Sequence, residues 1–220
     1  MRWTDHRPFV RPAVLDRRRL RRAALRYAEH GWPVTPGARL TGHRFACGRP
    51  GCPIMACHPA LDSWQETAGT EAARVRAWWR HEPYNVLLVT GRRFDALEVP
   101  AALGVRALGA VRLHRRPDAH GPVAVTAAGR WIFLVTPGRP LRSELDQRLD
   151  VVHHGLGSWV PAAPSRMLEG PVRWAVPPEQ ARWRLPDAEV VQARLADALG
   201  AVRAPQLTVP RQMSTARRGG

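Results

Sequence analysis

Three cysteines and a histidine fall within one short stretch, at Cys47, Cys52, Cys57 and His58. Thiolate sulfur and imidazole nitrogen are the donors from which zinc builds a tetrahedral set of four. Four residues separate Cys47 from Cys52, and four more separate Cys52 from Cys57. This is not a paired C-x-x-C finger. Adjacent Cys57 and His58 could ligate one ion only across a tight turn, so His43 is the alternative fourth ligand. An odd number of cysteines, all in one loop, argues for metal rather than a disulfide framework in a reducing compartment. The surrounding segment, 36–63, is rich in Gly, Pro, Cys and His and has no hydrophobic period. Metal binding contributes folding free energy and would tie such a segment down. Structural Zn2+ is the cofactor this pattern implies. The rival is three reduced thiols in an ordinary loop.

The other chemistry is cationic. The chain has 220 residues, a formal charge of +16 and no lysine, so every basic side chain apart from histidine is arginine. Guanidinium groups stay charged and bind phosphate bidentately. A chain this basic is drawn to nucleic acid by counterion release. Arginine enrichment alone also follows from an Ala-, Arg-, Gly- and Pro-rich composition. The first 22 residues hold eight arginines against Asp5 and Asp16. No apolar run is long enough to span a membrane, and the first residues carry no secretory signal, so a cytoplasmic location without membrane partners is expected.

The elements that must position these groups come next. Residues 1–13 read as a flexible basic arm, 14–200 as one domain, and 201–220 as a basic tail. Leu20, Ala24, Tyr27 and Ala28 recur at helical spacing, which predicts a helix over 15–30 closed by Gly31. Trp32 to Val34 reads as a short strand. A helix is expected from Thr70, as N-cap, to Glu82 before Pro83. Strands are expected at 85–90 and 94–99, then a helix at 101–113. Val123–Thr126 and Arg130–Val135 read as a hairpin. Segments 149–152 and 158–161 suggest another pair, with a strand at 172–174. An amphipathic helix over 186–199 ends at Gly200. This order predicts an α+β fold. The tryptophans, on apolar faces, are expected in the core.

Four stretches, in order, resemble the N-terminal domain of bifunctional DNA primase/polymerases, in the archaeo-eukaryotic primase-like superfamily. They are Ala28 to Val34; Cys47 to Cys52 with His58-Pro59; Trp78-Trp79 with Pro83 to Gly91; and Ala162 to Ser165 with Gly170 and Trp174. The resemblance implies a mixed sheet flanked by helices, with the Cys/His-rich loop attached. It also implies phosphoryl transfer on two divalent ions, which clamp the attacking and leaving oxygens. Such ions need carboxylate oxygens. An Asp-x-Asp strand puts two of them on one face, since side chains alternate with period two.

The chain departs from that pattern. The Asp-x-Asp strand reads Leu97-Glu98-Val99-Pro100, which keeps one acid. The Gly-Gly-x-His strand reads Ala128-Gly129-Arg130-Trp131, with Trp131 at the histidine position. Asp150 stands where the third acid belongs. Glu98 and Asp150 are therefore carried over as vestigial positions, and Arg130 as facing the nucleotide pocket. Asp95 is a substitute ligand in principle, but it lies three residues from Glu98 and so on the other face. His153-His154 reads as a polar strand-to-turn junction. The expectation is a DNA primase/polymerase-like domain with a degenerate centre, acting in nucleic-acid or nucleotide binding. One alternative is an active one-metal nucleotidyltransferase using Glu98 and Asp150, with Mg2+ or Mn2+ needed only in that case. Another is a protein-binding regulator on the same fold. Relatives often carry a fused helicase region, so a helicase or other protein partner would be a separate chain.

Overall fold

A computed structural model describes residues 13–113 and 121–203. The expected arm, up to residue 12, and the tail from residue 204 lie outside the described residues. Helix α1 (Ala13–Glu29) leads into strands β1 (Val34–Gly37), β2 (Arg39–Thr41) and β3 (Arg44–Ala46). Short helices α2 (Trp64–Thr67) and α3 (Ala72–Trp78) follow, then β4 (Asn85–Val89), β5 (Asp95–Pro100) and α4 (Ala101–Leu113). The second half holds β6 (Val123–Val125), β7 (Arg130–Val135), α5 (Ser143–Asp146), β8 (Val152–His154) and β9 (Trp159–Pro161). It closes with β10 (Arg166–Met167), β11 (Gly170–Pro171), β12 (Arg173–Val176) and α6 (Ala188–Arg203).

The class is α+β. The expected mixed sheet is replaced by antiparallel pairing throughout the described residues. One sheet has the order β1-β4-β9, and a five-stranded sheet has the order β12-β6-β7-β5-β8. Alternation along the larger sheet divides the molecule. Leu97 and Val99 of β5 and Phe133 and Val135 of β7 pack with α4 and α6 around Leu195. Ala96, Ile132 and Leu134, on the opposite face, join α1, α3 and the smaller sheet around Trp32, Trp79 and Leu88. Each fully buried large apolar side chain contributes roughly 1.5–3 kcal/mol, so these two cores define the fold.

Several motif residues act as clasps between segments. Tyr27 on α1 donates to the Ala163 carbonyl at 2.5 Å and accepts from Trp174 Nε1 at 3.0 Å. Asn85 Nδ2 donates to the Ala38 and Arg166 carbonyls at 2.9 and 3.0 Å, and its Oδ1 accepts from Arg166 N–H at 2.8 Å. Ser165 Oγ bonds both the N–H and the carbonyl of Val86, at 2.8 and 3.0 Å. Backbone groups of this kind, buried without partners, are expensive, which accounts for polar residues at these core positions.

The structure corrects some expected boundaries. Helix α3 begins after Glu71, which makes no side-chain cap bond, so Thr70 is not its N-cap. It ends at Trp78 because Trp79 turns wholly into the core and donates from Nε1 to the Tyr84 carbonyl. Gly200 does not stop α6, which runs on to Arg203; one exposed glycine costs a helix only about 1 kcal/mol. Segment 36–63 carries the β2–β3 hairpin rather than loop alone. The strand expected at 149–152 starts at Val152, and Leu149 is fully exposed. Nor do the two late strands pair together: β8 joins β5 and β9 joins β4, so they lie in different sheets. Gly91 holds the connection between these sheets close. Its φ is +95°, and a Cβ there would lie 2.1 Å from Leu156 Cα.

Candidate functional site

Between the two sheets lies a cavity of about 470 Å³, lined by Glu98, Arg130, Ile132, His154, Ser158 and Trp159 among others. Its polar wall follows from strand alternation. On β5 the apolar face that carries Ala96 ends, one period later, in Glu98. On β7 the same face carries Leu134, Ile132 and then Arg130. On β8 it carries His154, opposite Ala96, and Val152, opposite Glu98. Trp131, at the expected histidine position, points the other way. It packs over Gly104 of α4, where a Cβ would meet its ring at 2.6 Å. The cleft residues of β7 are its neighbours.

Both oxygens of Glu98 are engaged. Arg130 Nε donates to Oε1 at 2.7 Å, and His154 Nε2 lies 3.0 Å from Oε2. These side chains are between 17% and 26% exposed, so water screens them only in part. Burial pushes the Glu98 carboxyl up, but the hydrogen bonds from His154 and Arg130 outweigh it, and the net shift is below the ordinary value. Arg130 also reaches the Asp150 carbonyl from Nη2 at 2.9 Å. One guanidinium thus ties together β5, β7 and the turn before β8. His154 Nδ1 lies 3.0 Å from Ser158 Oγ, which fixes the imidazole plane.

Asp150 does not converge on Glu98. Its carboxylate accepts two 2.8 Å bonds from Arg148, which hold its carboxyl below the usual range. It lines a different cavity, of about 620 Å³, with Pro100, Arg106 and Glu144. Asp95 is buried on the far face of β5, where Oδ2 accepts from Gly138 N–H at 2.9 Å and lies 3.1 Å from His153 Nε2. The adjacent histidines therefore serve opposite faces, one per acid. Sequence reasoning missed this pairing. Its signal was present: two successive strand residues must point to opposite sides.

The cysteine loop forms a second centre. Donor atoms of Cys47, Cys52 and His58 all lie within 4.8 Å of one another. His58 Nδ1 donates to the Ala56 carbonyl at 2.8 Å, which leaves Nε2 as the lone-pair nitrogen, 3.4 Å from Cys52 Sγ. That orientation by a carbonyl is the usual outer-shell arrangement for a ligating histidine. Burial opposes ionisation of Cys47, but hydrogen bonds to its sulfur, those from Arg49 foremost, bring its thiol down to about 6. Cys57 lies outside this group. It is buried, its Sγ accepts from Asn85 Nδ2 at 3.9 Å, and burial pushes its thiol up to about 12. His43 is exposed at the turn after β2 and also lies outside the group. The donor set, the histidine orientation and the lowered thiol suit three positions of a zinc site. The expected fourth ligand, whether Cys57 or His43, is not brought to it.

The fold is thus that of an α+β domain with an acid-bearing cleft between two antiparallel sheets and a Cys/His centre beside it. The profile of the family described as "Bifunctional DNA primase/polymerase, N-terminal" matches residues 24–190, and the chain belongs to this family. Among curated proteins no relative matches. No helix among the described residues is long and apolar enough to cross a membrane.

A carboxyl whose folded value is depressed contributes stability above its unfolded value, and loses that contribution as pH falls through the folded value. Wild type should therefore lose stability relative to Glu98→Gln as pH falls below the ordinary glutamate value of about 4.3. Thermal melts over a pH series read this directly. A gap in melting temperature between the two proteins that stays constant down to about pH 3 would show that Glu98 is not held as an ion.

Proposed function

We propose that this domain keeps the primase/polymerase fold, has lost polymerisation, and acts in nucleic-acid or nucleotide binding. The observation that carries the reading is the engagement of both Glu98 oxygens by Arg130 and His154. Two-metal phosphoryl transfer needs several carboxylates converging on the ions. Here Pro100 replaces one acid, Val152 stands opposite Glu98 and Asp150 lines another cavity. Glu169, from the turn after β10, is a second acid of this cavity, but among the described residues no three acids or histidines lie close enough together here to share an ion. A cation entering here would meet the Arg130 charge and a Glu98 carboxylate whose two oxygens are already engaged. The one-metal alternative gains nothing from this geometry, because Glu98 and Asp150 line separate cavities. Arg130 remains the group assigned to a nucleotide phosphate. Among the described residues no protein group accepts from its Nη1.

Primer extension tests this. With Mg2+ or Mn2+ the wild-type protein should extend no primer, alone or beside Glu98→Ala and Asp150→Ala. Extension by wild type that both substitutions abolish would overturn the reading.

Cys47, Cys52 and His58 would hold a structural Zn2+, whose chemistry is to cross-link the loop to the body of the domain. Cys52→Ser should abolish stoichiometric zinc and lower the thermal midpoint, whereas Cys57→Ser should retain the metal. Zinc content measured on purified protein decides it. Equal zinc in wild type and Cys52→Ser would refute the assignment.

A further inference from the structure

The outward arc of α1 is a stripe of cations that neither the cleft nor the cysteine centre uses. Arg18, Arg19, Arg21, Arg22 and Arg26 are all exposed, while Leu20, Ala24, Tyr27 and Ala28 face the core. Glu29 is the one acid among the exposed residues of the helix. Arg18, Arg21, Arg22 and Arg26 border a shallow concavity of about 410 Å³. None of Arg18, Arg19, Arg21 and Arg22 lies within ion-pair distance of a carboxylate of the described residues. Arg26 pairs with Glu179 at 3.1 Å, with both side chains well exposed. Such surface pairs are worth about 1 kcal/mol or less and exchange readily for another anion.

An arginine-rich composition would place arginines on every surface helix. The molecule carries its own comparison. The charged residues of α6 among the described side chains are Glu189, Arg194 and Asp197, one base against two acids. The concentration on α1 is therefore a property of that helix.

Resting on the nucleic-acid reading above, we propose that this face of α1 binds the phosphate backbone of duplex nucleic acid, as a surface separate from the cleft. Arg18, Arg22 and Arg26 sit one helical turn apart, roughly 6 Å at each step. That advance is close to two base steps of roughly 3.4 Å each along a strand. Guanidinium forks match phosphate oxygens bidentately. Contacts from guanidinium groups to phosphate carry no sequence information, so recognition through them is independent of sequence.

The test is the salt dependence of binding to a short, random-sequence DNA duplex, followed by fluorescence anisotropy. R18Q/R21Q/R22Q should reduce the magnitude of the slope of log K against log salt by about 2–3, at about 0.9 for each phosphate that is no longer neutralised. Arg22→Gln alone should reduce it by about 1, which keeps the test decisive if the triple variant folds poorly. Circular dichroism reports folding of each variant. Unchanged slopes in both variants, with binding lost in Arg130→Gln, would overturn this inference and leave the cleft reading standing. Absence of any duplex binding by wild type would overturn this inference, and would sink the cleft reading as well only if a labelled nucleoside triphosphate also failed to bind. Anionic phospholipid vesicles captured through the same arginines, with the DNA slope unaltered, would assign the stripe to a membrane surface and overturn the proposal.

Discussion

The cleft is organised around one ion pair. Arg130 holds Glu98 from the neighbouring strand and reaches across to the backbone at Asp150. In a metal-dependent nucleotidyltransferase, divalent cations would neutralise an acid at this place and draw strand ends together. On the function proposed above, a guanidinium supplies the positive charge from within the chain. The exchange has a consequence for electrostatics. A metal can arrive with a nucleotide and leave with product, whereas Arg130 is fixed and permanently charged. Removing one member of a partly buried pair leaves the other unbalanced, so Glu98 and Arg130 hold each other in place. His154 completes the arrangement on the second oxygen, and Ser158 orients its ring.

Alternation along three strands makes this possible. Glu98, Arg130 and His154 share one face of the large sheet, while Asp95, Trp131 and His153 occupy or face the other. A shift of one residue in register would exchange the two sets. The packing against α4 prevents that shift, because Trp131 fits over Gly104, where any larger residue would clash. The close approach of Leu156 to Gly91 then fixes the turn that follows β8, from which Ser158 enters the site.

Much of the scaffold was legible in the sequence. The helical period of Leu20, Ala24 and Tyr27, the apolar run of β4 and the hairpin of β6 and β7 all formed as expected. These are long or strongly patterned elements whose burial is set locally. What failed depended on distant partners. Leu149 looked like a strand residue, but the bond between Arg148 and Asp150 closes a turn there. The Trp131 equivalence failed because a motif counted in residues does not specify which face a strand turns inward. Cys57 looked like a ligand because of its spacing, yet Asn85, which clasps β4 to two loops, draws it into the core.

On this reading the fixed cation beside Glu98, with both carboxylate oxygens engaged, opposes the binding of divalent ions. Calorimetric titration of the wild-type protein with Mn2+, alongside Glu98→Ala, addresses that point without relying on turnover. No saturable Mn2+ binding that depends on Glu98 is predicted. A saturable wild-type isotherm that disappears in Glu98→Ala would show that the cleft still holds a metal, and would contradict the account.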